Sequence, residues 1–153
     1  MDIIYHDYLR IFVNDNLSYD GEILIYEDNS CEGILTNKNN EQNYTYGTFE
    51  KNKCFNLTIE NKDDSKIVFH GKKTYLQYEG NCKIIKDNKM TEMPFYLKVS
   101  NLSVDPRDYW PENNPNNIFL LKLNKFKEEN IILNKNTTSF YNQTDVENNK
   151  KIR

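Results

Sequence analysis

The sequence predicts an all-β fold: an antiparallel up-and-down meander of roughly eight to ten strands that closes into a small barrel. Three observations carry that expectation. From about Tyr19 to Asn101, short runs alternate apolar and polar residues and each ends in a polar turn, the period-2 signature of half-buried strands. All five glycines fall in that stretch at spacings of 12, 14, 24 and 9 residues, close to one strand plus one turn, so turns and crowded strand positions are their expected places. Eleven tyrosines and eight phenylalanines supply rings that suit a pleated surface, although the apolar fraction is only 37%.

Taken in order, residues Ile3 to Val13 are ambiguous. Ile4, Tyr8 and Phe12 share a helical face while Leu9, Ile11 and Val13 alternate, and a strand from about Leu9 is favoured. Asn14-Asp15-Asn16 is then a turn, because short polar side chains hydrogen-bond their own backbone and tolerate left-handed geometry. Glu22–Glu27, Asp28-Asn29-Ser30 and Cys31–Thr36 read as strand, turn, strand, followed by a polar loop over Asn37–Asn43. Tyr44–Glu50 and Cys54–Glu60 form the next hairpin around Lys51-Asn52-Lys53, and Phe55, Leu57 and Ile59 must face the core. Ile67–Gly71 and Tyr75–Glu79 flank Lys72-Lys73 as a further hairpin. Cys82–Ile85 then leads through Asp87-Asn88-Lys89 to Met93–Ser100, whose buried row is Met93, Phe95, Leu97 and Val99. Pro94 cannot donate to a ladder, so it marks an edge, a bulge or a first pairing position.

The rhythm breaks at Val104–Asn117, which holds three of the four prolines and the single tryptophan. Loops this long inside compact domains are disproportionately functional. Ile118–Leu123 reads as a strand buried on both faces, with Ile131-Ile132-Leu133 as a pairing partner; a helix over Lys122–Leu133 is the alternative. Residues 1–143 are expected to form one domain and 144–153 a polar, disordered tail.

An antiparallel sheet of this size must cover one face, and closure does so while removing both edges. A two-sheet β-sandwich is the competing architecture, and a curled sheet against one short helix is third. The strand rhythm over Tyr19–Leu123 resembles that of calycin-type barrels, the lipocalin-like and avidin-like meanders, although the Gly-x-Trp signature of lipocalins is missing near the first strand and Trp110 lies far downstream. That resemblance implies a barrel with one apolar or mixed cavity that holds a small ligand. Tyr19-Asp20-Gly21 and Tyr78-Glu79-Gly80 are also similar to the openings of membrane-occupation repeats, without their regular period.

A net charge of −3 with lysines interleaved among acids argues against nucleic acid as a partner. No apolar run approaches the ~20 residues of a membrane span and no secretory leader is visible, so a soluble, cytoplasmic protein is expected. Cys31, Cys54 and Cys82 are odd in number and far apart, and read as free thiols on strands. With His6 and His70 they lack any short chelating spacing, so neither a metal nor a cofactor is expected, and no glycine-rich phosphate loop exists.

The candidate site residues are few. His70 is the one base a nucleophilic mechanism could use, against the plainer reading of a solvated strand histidine. Paired carboxylates could act as acid and base, and Glu79, beside Tyr78, is conceivable in that role at a barrel mouth. Arg107, Asp108, Tyr109 and Trp110 form the expected contact surface, because Arg, Tyr and Trp dominate interface energetics; the competing reading folds Trp110 back as a plug. The expectation is a non-enzymatic binding or interaction domain that contacts a protein partner through Val104–Asn117. The alternatives are a small-ligand barrel and a hydrolase or isomerase using His70 with a nearby carboxylate. Nothing in the residue pattern sets an oligomeric state.

Overall fold

The computed structural model describes residues 2–102 and 115–132. The chain divides into two compact units, Met1–Ile118 and Phe119–Arg153. In the first, eight strands follow one another in chain order: β1 Ile3–Val13, β2 Asn16–Tyr26, β3 Ser30–Asn37, β4 Gln42–Glu50, β5 Cys54–Glu60, β6 Lys66–Lys73, β7 Tyr78–Lys86 and β8 Lys89–Asn101. Each is antiparallel to the next, and β8 returns to β1 along a ladder from Asp7↔Asn101 to Val13↔Phe95, which makes the sheet a closed barrel. The sandwich and the curled sheet are therefore not what forms. Pro94 lies just past the end of that ladder, pairing Asn81 on β7 and accepting the Asn14 N–H at 3.1 Å, so its missing donor falls where β1 has already turned away.

Eight strands leave an interior just wide enough for side chains to fill. Leu9, Ile11, Ile23, Ile25, Leu35, Leu57, Ile59 and Leu97 are all fully buried there. The axis is occupied by rings in mutual contact: Phe49 stacks on Phe55 at 5.1 Å between centroids, Tyr78 stands edge-on to both, and Phe95 bridges Phe55 at 5.8 Å to Phe69 at 5.0 Å. The stack explains how so small an apolar fraction closes a core, since each ring buries a large area and aromatic pairs add about 0.5–1.5 kcal/mol apiece. Charged residues such as Arg10, Lys66, Lys72 and Lys98 stand outside, the reverse of strands that face lipid. No helix among the described residues is long and apolar enough to cross a membrane.

The glycines serve one of the two roles expected of them. All five lie inside strands and none at a hairpin turn. Gly21 sits in register between the larger inward residues Leu9 and Leu35, and Gly71 and Gly80 pair with each other between Phe55 and Phe95. The filled interior needs such alternation of large and small positions. Every turn but the one between β6 and β7 is made by asparagine or aspartate: Asn14, Asp15, Asn29, Asn40, Asn52, Asp64, Asp87 and Asn88 all have positive φ.

Other boundaries depart from expectation. β1 begins at Ile3 and not at Leu9, because Asp7 continues the inward row of Leu9 and Ile11. Tyr75 does not open a strand. Lys73 ends β6, the turn carries Tyr75 and Leu76 at 90% and 80% exposure, and β7 runs unbroken from Tyr78 through Gly80 to Lys86.

The strand expected at Ile118–Leu123 is instead part of helix α1, Pro115–Phe126, continued by a π-helical turn over Lys127–Ile132. Phe119 and Leu123, four residues apart, are buried while Ile118 and Leu121 are 58% and 72% exposed. That is helical spacing; a strand buried on both faces would have hidden Leu121 too.

One turn carries a pH signature. The Asp63 carboxylate accepts the Ser65 hydroxyl at 2.6 Å and the Ser65 N–H at 3.0 Å, with the Lys86 ammonium at 3.1 Å. These bonds hold its carboxyl at about 2, below the usual 3.8. A depressed carboxyl stabilises the fold above its unfolded value and loses that contribution as pH falls through its folded value. Asp63→Asn is expected to flatten the acid-unfolding curve between about 4 and 2, followed by circular dichroism.

Candidate functional site

The interior has one charged end. Asp7 lies on the inward row between Tyr5 and Leu9, opposite Ile23 and Asn101, and is fully buried. The Lys51 ammonium, from the β4–β5 turn, approaches Asp7 Oδ2 to 2.9 Å and stands 4.1 Å over the Tyr5 ring. No donor among the described residues is aligned for a hydrogen bond to either carboxylate oxygen, so the pair is held by charge. Beside it the Tyr78 hydroxyl accepts the Asn52 N–H at 2.8 Å, which fixes the same turn. Sequence reasoning missed this pair. Asp7 was visible only through the period-2 row it shares with Leu9 and Ile11, and nothing local pointed to Lys51.

The outer face of β1–β5 carries a ladder of tyrosine–carboxylate bonds. Tyr8 donates to Asp20 at 2.5 Å, Tyr26 and Tyr44 both donate to Glu32 at 2.5 and 2.8 Å, and Tyr46 donates to Glu60 at 3.2 Å. Burial, with the Glu32 bond next, pushes the Tyr26 and Tyr44 phenols well above their ordinary value. These phenols stay protonated, so they brace the sheet and do not move protons near neutrality. His6 belongs to the same face and reaches Glu22 at 2.8 Å.

The candidates for chemistry separate. His70 is exposed on the outer row; its Nδ1 meets Asn56 Oδ1, and its cross-strand neighbours are Asn56 and Asn81. Neither is the carboxylate that a hydrolase or isomerase would pair with it. Tyr78 points inward and Glu79 outward, so these chain neighbours do not meet. The thiols lie on β3, β5 and β7 and are free. Burial, followed by the Glu32 charge, pushes Cys31 up to about 12, an unreactive thiol at neutral pH. Among the described residues no three His, Cys, Asp or Glu side chains converge as metal ligands would. Arg107, Asp108, Tyr109 and Trp110 lie outside the described residues, as does the rest of the break through Asn114.

What the closure of the barrel does bring together is a groove on its outside. Asn14 and Asp15 of the β1–β2 turn, Gln77 just before β7 and Glu79 within it, and Pro94, Phe95 and Tyr96 of β8 surround a volume of about 480 Å³. Two of these groups are already set relative to one another, since Gln77 Nε2 donates to Glu79 Oε2 at 2.9 Å. The Tyr96 ring is stacked on Phe12 at 4.7 Å with 13° between planes, and Phe12 is not part of the groove wall, so it braces Tyr96 from behind. Lys98 Nζ stands 5.9 Å from both ring centroids. The exposed tip Tyr75-Leu76 immediately precedes Gln77 in the chain. These residues come from segments as distant as Asn14 and Tyr96, which only the β1–β8 ladder joins, and no spacing in the sequence announces them.

No protein-family model, curated protein or solved structure matches this chain.

Proposed function

We propose that this chain is a non-enzymatic binding domain that takes its ligand on the outside of the barrel, in the groove beside Tyr96. The observation that carries the reading is the contrast between interior and exterior. The axis is filled by Phe49, Phe55, Phe69, Phe95 and Tyr78 in ring contact, whereas the groove, which Phe95 alone of that stack borders, is open and lined by four polar side chains together with Pro94 and Tyr96. A calycin-type ligand in the interior would have to displace that stack. The pairing of His70 with asparagines supports a role without catalysis. Screening chemically diverse fragments by two-dimensional amide NMR is expected to place the binders at Asp15, Glu79 and Tyr96. Fragments that shift the amides of Phe55 and Leu57 and leave the groove unmoved would refute the reading.

A protein partner at Val104–Asn117 is the second reading. It is favoured by the concentration of Arg107, Tyr109 and Trp110 in one proline-bounded stretch. Trp110 is the single tryptophan, so iodide should quench its emission readily in the free protein; an indole that iodide cannot reach removes the support.

A further inference from the structure

We propose that the ligand of this groove is a sugar ring, an inference that rests on the groove being the binding site and goes on to name the chemical class. Four of its walls are planar polar side chains: Asn14, Asp15, Gln77 and Glu79. The two carboxylates accept hydrogen bonds and the two amides both accept and donate. Within the groove itself one donor is committed, the Gln77 N–H that meets Glu79 Oε2; a second, from Asn14 Nδ2, is spent on the Met93 sulfur at 3.3 Å. That leaves Asn14 Oδ1, Gln77 Oε1, both Asp15 oxygens and Glu79 Oε1 as acceptors, with the remaining amide protons as donors.

A ligand that satisfies such a mixture must donate and accept at neighbouring positions. Phosphate only accepts and would face the Asp15 and Glu79 carboxylates; an ammonium only donates and leaves the amide protons unused. Adjacent hydroxyls do both, and a pair of them on a ring matches one planar carboxylate or amide. The remaining walls supply what the other surface of a sugar needs. Pro94, Phe95 and Tyr96 complete the lining with apolar carbon for C–H groups, and the Tyr96 ring is held still by its stack on Phe12, so its ordering is complete before a ligand arrives. A volume of about 480 Å³ suits one or two sugar rings.

The experiment is an amide-NMR titration of the full chain with D-glucose, D-galactose, D-mannose, N-acetyl-D-glucosamine and their β-linked disaccharides, run beside lysine amide and inorganic phosphate. The proposal expects saturable shifts at Asp15, Glu79 and Tyr96 with at least one sugar, and none there with phosphate. Tyr96→Leu is expected to weaken that binding roughly tenfold, the equivalent of one stacked ring. Glu79→Gln, which keeps the shape and removes the charge, is expected to weaken it with the amide spectrum otherwise unchanged, so a folding failure in one variant does not decide the matter. Sugar binding that Tyr96→Leu and Glu79→Gln leave intact overturns the proposal. If lysine amide or other fragments occupy the groove and no sugar does, the sugar class falls and the groove stands as the binding site. If nothing occupies the groove, both fall.

Discussion

Lys51→Met is expected to destabilise the barrel by about 3–5 kcal/mol, read as a lowered urea midpoint. The size follows from what the substitution leaves behind. Asp7 has no exposed surface, and neither of its oxygens has an aligned donor among the described residues, so the Lys51 ammonium at 2.9 Å is its compensation. Removing that ammonium strands a charge in the core, which is far more costly than the pair is valuable. The same logic predicts recovery: Asp7→Leu in the Lys51→Met background should regain most of the loss, because replacing both partners with apolar groups is often neutral or better. The pair also crosses the barrel end, tying the β4–β5 turn to β1, which is not its neighbour in the sheet. A Lys51→Met protein within 1 kcal/mol of the wild type would mean that water serves Asp7 instead.

The sequence made the meander legible because its evidence is local. Phe55, Leu57 and Ile59 alternate with polar residues over seven positions, and Asn or Asp marks where every strand but β6 gives way to the next. Closure could be argued from edges, but the partner of β1 could not be read from its residues, since Val13↔Phe95 joins positions 82 apart. Where apolar runs were short, period alone misled: Ile118–Leu123 is as apolar as a buried strand, and the exposure of Ile118 and Leu121 beside buried Phe119 and Leu123 tells the helix apart. Tyr75-Leu76 looked like a strand for the same reason, although its two large side chains sit in water. The groove and the Asp7–Lys51 pair were invisible for a common cause. Each assembles residues from turns and strand ends that meet only after the barrel has closed, and neither repeats a spacing that chemistry would recognise along the chain.

Gly80→Ala is expected to cost about 3 kcal/mol or more, a large effect for one methyl group. A Cβ at Gly80 would stand 2.0 Å from the His70 carbonyl oxygen and 3.1 Å from the Gly71 Cα, so the obstacle is backbone and no rotamer change can relieve it. The ladder between β6 and β7 would have to open where Gly71 and Gly80 pair, and this is also where Phe95 packs in from β8. At Gly71 the obstacle is softer. A Cβ there meets the Phe55 ring edge at 2.7 Å and the Phe95 ring at 3.1 Å, and rings can tilt by a few tenths of an ångström. Gly71→Ala should therefore be the milder of the two, and it should be felt in the Phe55–Phe95 contact. Asn81→Ala, one residue along β7 on the exposed row, is the control and should stay within about 0.5 kcal/mol of the wild type. Thermal and urea unfolding of the three variants tests the ordering Gly80, Gly71, Asn81. If Gly80→Ala proves as stable as Asn81→Ala, the close approach of β6 and β7 is not a requirement of the filled barrel.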